Sequence, residues 1–243
     1  DNKKKSYEGK INGKFNLTEG KVEYVARKMI FEKVNAFVKF DNNKCQIENI
    51  SFTVNKNPVV LKGLLTGYVP FLTVPGNRVK TALSFTSPKF DMAQAFPKLK
   101  VKKGVKKEKT IDKKRRVSKI IDELYRKLEL EMTLDVKQFS HKKFKSENLT
   151  GKILLSNDRL QLKEVKMKLA GGQVNFSASM NQLQRKVNPF TLNAKVQNAD
   201  ISNFFYSFNN FNQSAIRHDN LSGRVNVDVN LRASINNDLA VVT

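Results

Sequence analysis

The sequence predicts a mainly β chain made of tandem repeated antiparallel sheet units, with one amphipathic helix and short helical turns between them. Three observations carry that expectation. Apolar and polar residues alternate with period two in run after run. One long stretch maps without a gap onto another 115 positions later. A single segment shows the three-and-four spacing of an amphipathic helix.

The alternation begins at Ile11, Gly13, Phe15 and Leu17, with Asn12, Lys14, Asn16 and Thr18 on the other side. After Glu19-Gly20 a second run is expected over Lys21 to Met29, followed by Val34, Ala36, Val38 and Phe40. Asp41-Asn42-Asn43-Lys44 has the composition of a tight turn. Beyond it Cys45 and Ile47 share a phase that slips by one residue before Ile50, Phe52 and Val54, so a bulge is expected at Glu48-Asn49. Further strands are expected over Val59 to Gly67 and Val79 to Ser87, and a turn or short helix over Phe90 to Phe96. Val117, Ile120, Ile121, Leu124 and Leu128 mark the one long helix. Period two resumes at Leu130 and continues in runs at Leu149 to Leu155, Leu160 to Leu169, Val174 to Met180, Phe190 to Val196 and Leu221 to Ile235. Seventeen Phe without Trp, in a chain 40% hydrophobic, suit short half-buried strands rather than long apolar blocks.

The repeat sets Val34–Leu65 on Leu149–Met180. Val38 meets Ile153, Phe40 meets Leu155, and the turn Asn42-Asn43-Lys44 meets Asn157-Asp158-Arg159. Cys45, Ile47, Ile50, Phe52 and Val54 meet Leu160, Leu162, Val165, Met167 and Leu169, so the phase slip recurs as well. Phe90-Asp91-Met92-Ala93-Gln94-Ala95-Phe96 then corresponds to Ala199-Asp200-Ile201-Ser202-Asn203-Phe204-Phe205, with six residues fewer in between. These correspondences divide the chain into a first β unit over 1–97, a basic loop with the helix over 98–129, and a second β unit over 130–243. The opening Asp1-Asn2-Lys3-Lys4-Lys5 and the strand-like close Leu239–Thr243 lead us to expect sequence beyond both ends.

Forty-five Lys and Arg against 22 Asp and Glu favour polyanionic partners. The excess is concentrated from Lys98 to Lys119, where Lys102, Lys103, Lys106, Lys107, Lys113, Lys114, Arg115 and Arg116 are candidates for contact with an anionic surface. This tract reads as a solvated linker, as a membrane-surface contact, or as a phosphate-binding segment. Nucleic acid is the least favoured, because no interleaved aromatics or nucleic-acid-binding motif accompany the lysines.

Catalytic chemistry finds no foothold. His141 and His218 are expected at the surface, with no acid or nucleophile at motif spacing, and the lone Cys45 is expected as a small buried apolar residue. There is no nucleophile elbow, phosphate loop, dinucleotide fingerprint or zinc motif, and Gly171-Gly172 reads as a turn. No cofactor or metal is expected.

What stands out instead is an apolar stripe: Val38, Phe40, Ile50, Phe52, Ile153, Leu155, Leu162, Met167, Phe176 and Met180, backed by Lys, Asn, Ser and Gln. Two accounts are open. The stripe is a core sealed by another layer, or it is the concave face of a curved, groove-like sheet that holds acyl chains.

Leu149-Thr150-Gly151-Lys152-Ile153-Leu154-Leu155, Leu160-Gln161-Leu162 and Met167-Lys168-Leu169-Ala170-Gly171-Gly172-Gln173-Val174-Asn175-Phe176 resemble the AsmA-like C-terminal region. Ala199-Asp200-Ile201 and Asn220–Val227 are similar to the segments that follow it there, and the Asn- and Lys-rich style resembles the Bacteroidetes branch. The resemblance implies a non-enzymatic protein of the bacterial envelope, held in the inner membrane by an N-terminal helix absent from this chain. A periplasmic β-groove would carry phospholipid towards the outer membrane, in company with other envelope proteins. The basic tract departs from the family pattern, and it supports the rival expectation of a polyanion-binding adaptor acting through residues 98–119.

Overall fold

The computed structural model describes residues 11–24, 29–68, 78–97, 127–156, 159–181, 187–236 and 241–242. In chain order these form β1 (Asn12–Tyr24), β2 (Met29–Asp41), β3 (Lys44–Val54), β4 (Asn57–Thr66), β5 (Val79–Ser87), β6 (Phe90–Asp91), α1 (Met92–Ala95), β7 (Leu128–His141), β8 (Phe144–Leu155), β9 (Arg159–Leu169), β10 (Gly172–Asn181), β11 (Val187–Asp200), α2 (Ile201–Ser207), β12 (Arg224–Asn236) and β13 (Val241–Val242). Two 3₁₀ turns, Asn209–Asn212 and His218–Asn220, lie between α2 and β12. The strands make one open, curved mixed sheet in the order β1-β2-β3-β4-β5-β7-β8-β9-β10-β11-β12-β13, with β6 paired to β7.

Neighbours along this path are antiparallel, save that β5 runs parallel to β7, from Val79 opposite Leu128 to Ser87 opposite Val136. That parallel seam joins the halves. The period-two runs became strands because each has one face to bury, while turn chemistry set their ends. Asn55-Lys56 and Ala170-Gly171, 115 residues apart, close two-residue hairpins with positive φ at both central positions (44° and 70°, 51° and 71°). That is the type I′ turn, whose twist matches the strands it joins.

The expected phase slip is present in both halves. Ile47 lies opposite Gly63 and Ile50 opposite Leu61, leaving one extra residue on β3. At the same offset Leu162 lies opposite Ala178 and Val165 opposite Phe176. A second pair of irregularities matches too, with Lys33 on β2 and Asn148 on β8 both in the left-handed region (φ 52° and 51°).

Three expectations change. The break at Glu19-Gly20 is a bulge inside β1 rather than the end of a strand: Glu19 takes φ 51° and its N–H donates to Asn35 Oδ1 at 3.1 Å, so β1 runs on to Tyr24. Gly172 begins β10, and the turn is Ala170-Gly171. Most of the helix expected over Val117 to Leu128 lies outside the described residues, and Leu128 itself opens β7.

Candidate functional site: the apolar inner face

Residues directly opposite one another on adjacent strands share a face of the sheet. Followed from strand to strand, the pairings trace an unbroken apolar row. It starts at Phe15 and Val38, and continues through Ile47, Gly63, Leu83, Met132, Ile153, Leu162, Ala178, Leu192 and Leu231. A neighbouring row carries Phe40, Cys45, Leu65, Thr81, Leu130, Leu155, Leu160, Met180 and Phe190. Strands spaced about 4.8 Å apart make such a row roughly 50 Å long from β1 to β12.

The stripe residues therefore all belong to one inner face. Val38, Ile153 and Leu162 lie in the first row and Phe40, Leu155 and Met180 in the second. Ile50 lies opposite Leu61, Phe52 opposite Val59, Met167 opposite Val174, and Phe176 opposite Val165. Val38 and Met167 are buried, whereas the other eight are half-buried. The opposite face presents Lys166, Lys168, Gln173, Asn175, Asn193 and Lys195 to solvent.

One long edge of the face is covered by two short helices. At this edge α1 and α2 fold over the inner surface, each started by an aspartate. Asp91 accepts the Gln94 N–H at 2.9 Å and Asp200 accepts the Asn203 N–H at 2.8 Å, the same N-cap in both units. The Gln94 bond, with help from the Ser140 hydroxyl, holds the Asp91 carboxyl below its usual range despite partial burial. Asn55 Nδ2 donates to the Ala95 carbonyl, and the Asp200 N–H donates to Ala170 O, so each cap is tied to the type I′ hairpin of its own unit. Val54, Val59, Val136, Leu169, Val174 and Val196 form the buried core beneath. Towards the other edge, Leu65, Leu130, Leu155, Leu160, Met180 and Phe190 are half-buried, and Tyr68 packs with Phe40 and Leu65.

Under α2 the face deepens into a cavity of about 630 Å³, within the range of roughly 300–1,000 Å³ usual for small-ligand sites. Its floor is Met167, Leu169, Val174, Phe176, Leu192, Ala194 and Val196 from β9, β10 and β11. Val225, Val227 and Val229 of β12 form one wall, and Phe204, Phe205, Phe208 and Phe211 the roof. Every lining side chain is apolar. Of the stripe residues only Met167 and Phe176 reach it. Its roof and wall escaped the stripe, yet they carry signals. Phe204 and Phe208 stand one helical turn apart, and Val225, Val227 and Val229 alternate.

Cys45 is buried, as expected, and burial pushes its thiol pKa up. The two histidines are half-buried rather than on the surface. The His218 ring rests on Tyr206 at 5.1 Å, with Nδ1 3.2 Å from Asn210 Oδ1. Among the described residues no cluster of three His, Cys, Asp or Glu could hold a metal, and no helix is long and apolar enough to cross a membrane. Lys102 through Arg116 of the basic tract lie outside the described residues.

No curated protein and no solved structure is detectably similar to the chain. The family model of the AsmA family matches residues 28–242, from the residue before β2 to the end of β13.

Proposed function

The chain belongs to the AsmA family, and from that premise we propose that it binds phospholipid by its acyl chains along the inner face and passes it through the periplasm. The family is associated with lipid transport and assembly in the bacterial envelope and is not a known enzyme family. The observation that carries the proposal is the apolar row running unbroken from β1 to β12. A core needs only to be covered, whereas a slide for a greasy chain needs continuity, and a single charged side chain in the row would interrupt it. The head group would stay at the edge opposite the caps, where Leu155 and Met180 are half-buried. Anchorage in the inner membrane, by a segment outside this chain, belongs to the same proposal, as do envelope protein partners.

The test is lipid co-purification from a bacterial envelope fraction, read by mass spectrometry, for the native chain and for Leu155→Asp and Met180→Asp. Phospholipid should accompany the native protein and be lost from both variants while their circular dichroism stays native. Absence of phospholipid from the native protein sinks the proposal. Salt-sensitive capture of nucleic acid or acidic polysaccharide, abolished by deleting residues 98–119, would instead establish the polyanion-binding adaptor.

A further inference from the structure

The two units differ where their caps meet the sheet, and the differences all point one way. Beneath α1 the first unit is filled with rings: Phe31 meets Phe52 at 5.4 Å, and Phe85 meets Phe90 at 5.3 Å, both edge-on. Matching bulges and caps fix the equivalent positions in the second unit as Ser146, Met167, Ala194 and Ala199. The pairing confirms them, since Phe31 opposite Val54 becomes Ser146 opposite Leu169, and Phe85 opposite Leu61 becomes Ala194 opposite Phe176. Four rings have given way to a hydroxyl, a thioether and two methyls. The cavity opens at this place, lined directly by Met167 and Ala194.

A loosened core would not also gain a roof, yet the second unit has one. Its cap extends past α2, bringing Phe208 and Phe211 together as a stacked pair, 5.3 Å apart and 12° from parallel. To do so the backbone takes a left-handed turn over Asn209, Asn210, Phe211 and Asn212 (φ 54°, 54°, 53° and 57°). Asparagine tolerates that conformation, but for phenylalanine it stores strain, and such strain collects at functional sites. Side-chain bonds hold the turn: Lys143 Nζ donates to Asn209 Oδ1 at 2.9 Å and the His218 N–H to Asn210 Oδ1 at 3.0 Å.

We infer that the cavity under α2 is a seat for the distal end of one hydrocarbon chain, and that the first unit holds the same architecture filled in. The inference rests on the lipid-binding reading and deepens it by saying where along the face a chain end is kept. The occupant is aliphatic because the lining offers no donor, acceptor or charge. An apolar surface of this size left against water is unfavourable, and the strained, tethered roof that shapes it into a pocket suits it to an apolar occupant.

The test presents the full chain with vesicles of phosphatidylethanolamine and phosphatidylglycerol containing a phospholipid with a diazirine at the end of one acyl chain. After irradiation, labelled peptides are mapped by mass spectrometry. Label should concentrate on α2 and β12. Ala194→Phe, which restores the ring of the first unit, should lower that label about tenfold, the scale on which an apolar pocket discriminates shape, while label near Leu155 and Met180 persists. Val227→Phe fills the cavity from the neighbouring strand β12 and should act alike, so misfolding of one variant leaves the other as the test. Label as strong on β2–β5 as on α2, or undiminished in a folded filled variant, overturns the seat but leaves lipid binding standing. No label anywhere overturns both.

Discussion

Alanine in place of Leu169 and of Leu155, one at a time, separates the capped edge of the inner face from the opposite one. Both are leucines on strands of the second unit. Leu169 is 2% exposed in the core beneath α2, whereas Leu155 is half-buried near the edge opposite the caps. Truncating a fully buried leucine loses its transfer free energy and leaves a cavity, together about 3–4 kcal/mol. At Leu155 part of the side chain is already wet and water can enter the gap, so only a fraction of the transfer term is lost, about 1 kcal/mol. For a chain of this size those values correspond to falls in Tm of roughly 6–16 °C and 2–4 °C. Thermal melts followed by circular dichroism, with urea titrations at 25 °C as a second measure, provide the comparison. Equal losses at the two positions would refute the reasoning, because Leu155 would then be covered in solution and the inner face would be a sealed core along both edges.

Asp91→Ala and Asp200→Ala should each cost about 1 kcal/mol in urea titrations, the usual value of a side-chain N-cap. Because the Asp91 carboxyl is held below its ordinary range by the Gln94 N–H, its contribution is present above the unfolded value of about 3.9 and is lost as pH falls through the lower folded value. Asp91→Asn keeps a cap without the titration, so its stability should fall less steeply than the native chain's on the acid side. Cys45, buried and with a raised thiol pKa, should react with a thiol reagent only as the protein unfolds; rapid modification of the native chain would contradict its packing. Gly172→Ala should destabilise by about 1–3 kcal/mol, because a Cβ there would stand 2.6 Å from the Ala199 backbone, and a melt unchanged by the substitution would show that β10 and β11 separate easily at that point.

The strands were legible because each buries one side, and alternation records that directly. The two bulges were legible for a different reason. A bulge shifts the phase of the apolar residues, so Ile47 and Ile50 announce it, and the repetition at Leu162 and Val165 separates it from noise. The caps were legible as the turn or short helix over Phe90 to Phe96 and its counterpart at Ala199 to Phe205, whereas the capping roles of Asp91 and Asp200 came from the structure. The parallel seam was not. Nothing local in Val79–Ser87 says that its partner is Leu128–Val136 rather than a hairpin neighbour, because pairing across a crossover leaves no turn residues to read. Nor was the cavity, whose lining combines a helix spacing, two kinds of strand and a left-handed turn around Phe211. Its distinctive feature is the small residue at Ala194 where the other unit has a ring, and small residues do not stand out in a search for apolar stripes.

The seam also shapes how the chain reaches its fold. Most other ladders lie between strands consecutive in sequence, and several close through turns of two residues, as at Asn55-Lys56 and Ala170-Gly171, so they zip from a local start on the microsecond scale typical of hairpins. Val79 must instead find Leu128, and the closure entropy of the intervening chain is lost before any contact across the seam returns it. Two meanders, β1 to β5 and β7 to β12, each hold their own cap and their own hairpins, so local closure favours either of them over the seam. The seam thus carries the largest closure cost in the sheet, at the one place where the long apolar row passes from one half to the other.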